Sequence, residues 1–426
     1  MLVVSFTALA ALWKQPVLGS ARDHRAPPSG CQGSCLHEDS ESPCRRSRRG
    51  CWRSSSPRRW WARPTPTGTS HRRGSTSSSG SGYRYSRSCS ATSGGRFSPW
   101  RAIADACVWA RERTGGEARS LAVYPERLGR WPAAAALFAF ATLELAYHDP
   151  ASPRALALAI ALYSSWTLLG MAAFGRESWT QNGEGFSVLF GFFARMSPLR
   201  ARDGRLFLGL PLARLSAADR APGTVAFVAV MLGSVAFDGF SRTISWQNLV
   251  VRVQAPSIPD RAGLGKLLAT GLNLLGLTLA CLLVAGAYIG ACSLARSSVN
   301  APRSLLADFV LSLVPIAFAY EVAHYVSLFV AQGQLALPLL SDPFAKGWDL
   351  IGLADYTPNL APLSLHTIWC VQAAALVAGH VAGLTVAHAR AVTIFKRRED
   401  ALRSQYPMLG LMVLYTVAGL WLLSRR

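Results

Sequence analysis

Residues 315–330, PIAFAYEVAHYVSLFV, and residues 367–392, TIWCVQAAALVAGHVAGLTVAHARAV, decide the reading of this chain. Neither alternates apolar and polar residues as a half-buried strand does, and neither confines its apolar residues to one stripe, as a helix on a soluble core does. Apolar on nearly every face and close to the roughly 20 residues needed to cross a bilayer, both read as membrane-spanning helices. Working outward, the same pattern recurs at residues 131–147, 155–175, 224–240, 267–292, 306–330, 364–390 and 406–424, separated by short loops of Arg, Asp, Pro and Gly. The expected fold class is therefore all-α: a polytopic transmembrane helical bundle spanning residues 131–426, multi-pass in the cell membrane, with the lipid bilayer as its first partner.

Composition agrees. The 426 residues are 50% apolar and 16% charged, with a mean hydropathy of +0.23, which excludes a collagen, a coiled coil, a small disulfide scaffold and an ordinary soluble pair of domains. Basic loops stay cytoplasmic. The loop at 391–405, with Lys396, Arg397, Arg398 and Arg403, is expected inside, and the loop at 331–363, with Asp342, Asp349 and Asp355, outside. Counting back places the segment from Arg176 to Arg220, with its seven arginines, inside, and leaves the basic loop from Arg242 to Lys266 outside, against the rule. Within 174–210, the stretch GRESWTQNGEGFSVLFGFFARMSPL is too short and too interrupted for an ordinary span. It reads either as a re-entrant element lining a cavity or as an amphipathic helix on the inner surface.

The front of the chain follows a different design. Residues 1–24 open on MLVVSFTALAALW, an apolar helix short of a full span that reads as truncated. Residues 25–96 are rich in Ser, Arg, Gly, Pro and Cys, and residues 42–96 alone hold thirteen Arg with no Lys, Asp or Glu. At face value this is a disordered basic segment able to hold nucleic acid or anionic lipid. The genetic code supplies another reading: a TCN serine codon read one nucleotide early becomes NTC, encoding Phe, Leu, Ile or Val, so serine runs hide apolar runs. One permitted shifted rendering of Gly74 through Arg96 is WVYVVFWVGVPVLSVLFGDVWRA, which continues into Phe97-Ser98-Pro99-Trp100. Residues 25–96 are accordingly read as a frameshift artefact, so that no nucleic-acid partner is expected. Five of the nine cysteines fall here, and the Cys31–Cys35 spacing has no second pair at a zinc-finger distance. Residues 97–130 read as a juxtamembrane linker.

Ionisable side chains inside spans are costly and mark function by default. Glu321 and His324 stand three apart on one helical face, a spacing that permits both to ligate one divalent metal. His380, near the middle of its own span, lies at a depth that can meet them, while His388 is about 12 Å further along the axis. His366, Gln372 and Asp238 lie nearer the outer surface. Two imidazoles and a carboxylate around a divalent metal would leave a position for water, which the metal acidifies into a nucleophile. The plainer reading is that these groups pair across helices or relay protons. Gly271, Gly276, Gly286 and Gly290 are expected to let neighbouring helices approach closely.

The stretches FSPWRAIADA, GRESWTQNGEGFSVLFGFFARMSPL, PIAFAYEVAHYVSLFVAQGQ, SDPFAKGWDLIGLADY and TIWCVQAAALVAGHVAGLTVAHARAV resemble a family of actinobacterial polytopic membrane proteins commonly labelled fenitrothion hydrolase. The resemblance covers residues 1 to about 20 and 97 to 426. It implies hydrolysis of a hydrophobic organophosphate ester with release of a phenol, and carries over no catalytic residues. The expected function is thus a membrane hydrolase of hydrophobic esters, metal-dependent if Glu321, His324 and His380 meet. The alternative is a transporter or permease that uses the same side chains for proton or metal handling.

Overall fold

The computed structural model describes residues 24–25, 98–115, 120–202, 205–254, 262–299, 304–359 and 361–424, all within the unit formed by Met1–Arg25 and Ser90–Arg426. The expectations for residues 1–23 and 26–97 lie outside these. The helices, in chain order, are α1 Pro99–Arg113, α2 Trp131–Leu145, α3 Pro153–Phe174, α4 Arg176–Asn182, α5 Gly185–Ala194, α6 Thr224–Ser241, α7 Ile244–Gln254, α8 Ala262–Ser298, α9 Leu305–Phe309, α10 Val314–Gln332, α11 Ala336–Ser341, α12 Leu365–Ile394, α13 Arg398–Arg403 and α14 Tyr406–Ser424. Among the described residues, strands are confined to a small antiparallel sheet, in which β1 His24–Arg25 and β2 Leu199–Arg202 flank β3 Arg205–Leu208. The fold is the all-α transmembrane bundle expected.

Five helical stretches are long and apolar enough to cross a membrane: Pro153–Phe174, Thr224–Ser241, Gly263–Ser298, Leu305–Ser341 and Leu365–Ile394. The second-to-last is broken by 3-10 turns at Val310–Leu313 and Gly333–Leu335. Burial sorts them into centre and rim. Within its most apolar window, Leu305–Ser341 is 72% buried by protein, whereas Pro153–Phe174 and Gly263–Ser298 are 17% buried. The exposed rows Leu156, Leu158, Ile160 and Leu162 on α3, and Leu275, Leu279, Leu282 and Leu283 on α8, are therefore the faces left for lipid.

Helix starts follow local chemistry. Pro99, Pro132, Pro153 and Pro315 stand in first turns, where a missing N–H leaves no bond unmade. Ser364 caps α12 by accepting from the Thr367 N–H at 3.1 Å. Between α3 and α4, Gly175 takes φ 85°, a conformation costly for any residue with a Cβ, and the chain turns there.

With no apolar driving force between helices inside lipid, close packing needs small residues at the seams. The α10–α12 seam is of this kind. A Cβ on Gly379 would press on the Ala319 Cβ and lie 2.8 Å from the Pro315 carbonyl, and one on Gly383 would lie 2.7 Å from the Ser312 carbonyl. Gly233 likewise admits Cys281 of α8. Among the four glycines expected to serve this purpose in α8, Gly276 does, meeting Phe237 and Trp246. Gly271, Gly286 and Gly290 have no neighbour within 4 Å, which corrects the expectation: those positions face outward from the packed side of the helix.

The interrupted stretch after α3 forms two short helices packed into the protein. Trp179 of α4 is buried, stacks on Phe174 at 5.8 Å and meets Trp166 edge-on. Glu184, 1% exposed, caps α5 by accepting from the Phe186 and Ser187 N–H groups, and the Tyr163 hydroxyl donates to it. Residues 97–130, expected as a linker, contain α1. It lies on α3 through a hydrogen bond from Trp100 Nε1 to Ser164 Oγ (2.9 Å), and Arg101 and Asp105 pair with Glu177 and Arg176. The loop after Arg242 contains α7, anchored by Trp246 Nε1 donating to Asn273 Oδ1 at 2.9 Å.

Candidate functional site

The ionisable residues of three helices converge on one cavity of about 300 Å³. Its walls are apolar and aromatic: Leu137, Phe140, Phe186, Leu189, Phe190, Phe193, Met231 and Val235 line it. Phe140 and Phe190 of this lining are exposed at the protein surface, so the cavity is not closed off. One wall is polar, formed by Glu144 from α2, Asp238 from α6, and Glu321, His324 and Tyr325 from α10.

Helical geometry sets this wall. Spacings of three and four put Glu321, His324 and Tyr325 on one side of α10. Asp238 stands one turn before the end of α6, and Glu144 in the last turn of α2. His324 Nδ1 stands 2.8 Å from Asp238 Oδ2, close to it without the alignment of a hydrogen bond. Arg242, at the C-cap of α6, donates from Nε and Nη2 to the other oxygen of Asp238 at 3.1 and 3.0 Å. The Tyr325 hydroxyl donates to Glu144 Oε1 at 2.6 Å. Glu321 lies within electrostatic reach of His324, Glu144 and Asp238. The result is a file of acid and base groups, Arg242–Asp238–His324 and Tyr325–Glu144, with Glu321 beside both.

Of the residues singled out in the sequence, Glu321 and His324 are in this wall and His380 is not. His380 is fully buried, with Nδ1 2.7 Å from the Leu376 carbonyl and its ring 6.0 and 6.3 Å from those of Tyr320 and Tyr415. Its Nε2 is buried without a hydrogen-bond partner. His388 bonds Gln405 through Nδ1 at 3.1 Å, Gln372 donates to the Ala323 carbonyl at 2.8 Å, and His366 lies beside Cys370. Among the described residues no three His, Cys, Asp or Glu side chains are gathered as a metal site. The carboxylate beside His324 divides its oxygens, Oδ1 accepting from Arg242 and Oδ2 facing the imidazole. His380 thus stands apart from the cavity that Glu321 and His324 line, and the three expected ligands are not gathered in one place.

A second, more polar cavity of about 560 Å³ lies toward the other end of α2 and α6. Buried Arg130 donates to Asp219 at 2.6 Å and to Thr224 at 2.7 Å, and Arg195 reaches the second oxygen of Asp219 at 3.0 Å. Burial alone would raise the Asp219 carboxyl, but the two guanidinium groups prevail and hold it below the ordinary carboxylate value. Phe190 lines this cavity as well as the first.

Asp238 had a sequence signal, a lone carboxylate in an apolar run, and so had Glu144, the one acid within residues 131–145. Glu144 and Tyr325 were missed because nothing in the sequence pairs α2 with α10. Comparison with family models, curated proteins and solved structures finds no match to this chain.

Proposed function

We propose that this is a multi-pass cell-membrane protein that takes a hydrophobic ester from the bilayer into the aromatic cavity and hydrolyses it, with His324 as general base. The observation that carries the reading is the placement of His324, its Nδ1 2.8 Å from an oxygen of Asp238, on the polar side of a cavity otherwise lined by apolar and aromatic residues. With Nδ1 turned to a carboxylate, a neutral imidazole has Nε2 for taking a proton. The resemblance to the proteins labelled fenitrothion hydrolase points to an organophosphate triester as substrate. Nε2 would take a proton from water as its oxygen attacks phosphorus. The bond from phosphorus to the aryloxy oxygen then breaks, its electron pair leaves with the phenoxide, and His324 returns the proton to give the phenol. No step needs a metal.

The test is release of 4-nitrophenol from diethyl 4-nitrophenyl phosphate by the full-length protein in nanodiscs. His324→Gln removes the base and is expected to lower kcat by about 10²–10⁴-fold with KM little changed. Phenol release equal in the two proteins sinks the reading. The file of ionisable groups at membrane depth favours a second one, a carrier that moves a proton along Glu144, Glu321 and His324. Proton-coupled uptake into vesicles, abolished by Glu321→Gln, with no ester cleavage, would establish it instead.

A further inference from the structure

The second cavity takes no part in that chemistry, and its composition asks for a partner of its own. Arg130, Arg195, Arg214 and Arg220 line it against one carboxylate, Asp219, an excess of three positive charges in about 560 Å³. Like charges drawn together at a partly buried site repel and lose hydration, so the gathering is unfavourable unless an anion joins it. Asp219 supplies one and fixes two of the guanidinium groups. The Phe192 ring holds the same two from its face, with their carbons 4.8 and 5.3 Å from its centroid. Arg214 is pinned through its donation to the Ala194 carbonyl, and Arg220 is exposed. Arg130, nine-tenths buried, keeps a buried Nε–H with no acceptor. Arg130, Arg195 and Arg214 are thus planar, charged donors held in place before any ligand arrives.

We propose that this cavity binds a phosphate group. A phosphate group offers more oxygens and more charge than a carboxylate, enough for guanidinium groups beyond the two that Asp219 holds. The volume falls within the range of small-ligand sites. Arg130 directly precedes α2, and Asp219 and Arg220 stand a few residues before α6. α6 is long and apolar enough to cross a membrane, so a cavity just before its first residue would stand where lipid phosphates are found and where a phosphate free in solution also has access. Both sources present the same chemistry.

The test uses the full-length protein in nanodiscs of phosphatidylcholine with or without phosphatidylglycerol. Native mass spectrometry counts retained phosphatidylglycerol, and calorimetry follows added inorganic phosphate. Arg214→Gln with Arg220→Gln is expected to weaken binding of the effective probe by roughly tenfold or more, while Arg296→Gln, an exposed charge at the end of α8, leaves it unchanged. If the double variant does not fold, Arg220→Gln alone carries the measurement. Retention of phosphatidylglycerol identifies a lipid headgroup, and binding of inorganic phosphate alone identifies a soluble phosphate. Binding of neither probe, or an equal loss with Arg296→Gln, overturns the assignment. Because His324→Gln leaves this cavity untouched, either proposal can fail without the other.

Discussion

Gly379→Ala is a one-carbon test of the seam that positions the candidate site. The new Cβ would lie 2.8 Å from the Pro315 carbonyl oxygen and would also overlap the Ala319 Cβ. Carbon–oxygen contacts settle at about 3.3–3.6 Å, so α10 and α12 must part by about 0.5–0.8 Å at Pro315 and by more at Ala319. Neither obstacle can swing aside: one is backbone and the other is a Cβ fixed to it. Such overpacking costs about 1–3 kcal/mol. Ala319 is two residues before Glu321 and five before His324, so the shift reaches the 2.8 Å contact between His324 and Asp238. The assay is unfolding of the purified protein by sodium dodecyl sulfate in mixed micelles, followed by tryptophan fluorescence, with Gly286→Ala as control. Gly286 has nothing within 4 Å, so its alanine adds helix propensity alone and gains up to about 1 kcal/mol. The two variants are expected to move the midpoint in opposite directions. Equal shifts, or a stabilised Gly379→Ala, would refute the close approach of α10 and α12.

Other consequences are as direct. Glu184→Ala removes the acceptor of two N–H groups at the start of α5 and of the Tyr163 hydroxyl; a loss of about 0.5–2 kcal/mol is expected in the same titration, with Glu184→Gln intermediate. Asp219 is held ionised in the fold, below its ordinary value. Its contribution is therefore complete above that ordinary value and is lost as pH falls through the lower, folded one. Acid unfolding curves should show this destabilisation in the native protein and a flatter one in Asp219→Asn. Incubation with a chelator is expected to leave ester hydrolysis unchanged, because no metal enters the proposed step; loss restored by zinc or manganese would count against His324 acting as base.

The spans were legible because a bilayer sets both length and composition. All seven expected stretches fall on helices, but among the described residues five are long and apolar enough to span, and Trp131–Leu145, where 131–147 was expected to cross, is shorter than that. The expected 267–292 fell short of α8, because Lys266 and Arg296 end the apolar run while the helix runs on through them. What one-dimensional pattern does not contain is which helix faces which. Glu321 and His324 could be read as a pair on one face, yet the partner of His324 is Asp238, on another helix. His380 has suitable depth and points to Tyr320 and Tyr415 instead. The basic loop that broke the orientation rule is partly explained on the same ground, since Arg242 is neutralised by Asp238.

The ten residues of α5 separate two rooms of different character, one greasy and one cationic, and Phe190 faces into both. A party wall of this kind has a thermodynamic corollary. Any guest that pushes Phe190 out of one room takes space from the other, and linkage requires the second guest to resist the first by an equal free energy. Were both guests to press on Phe190 from opposite sides, filling the arginine-lined room would narrow the aromatic one, and the Glu184 cap, by fixing where α5 begins, limits how far the wall can lean.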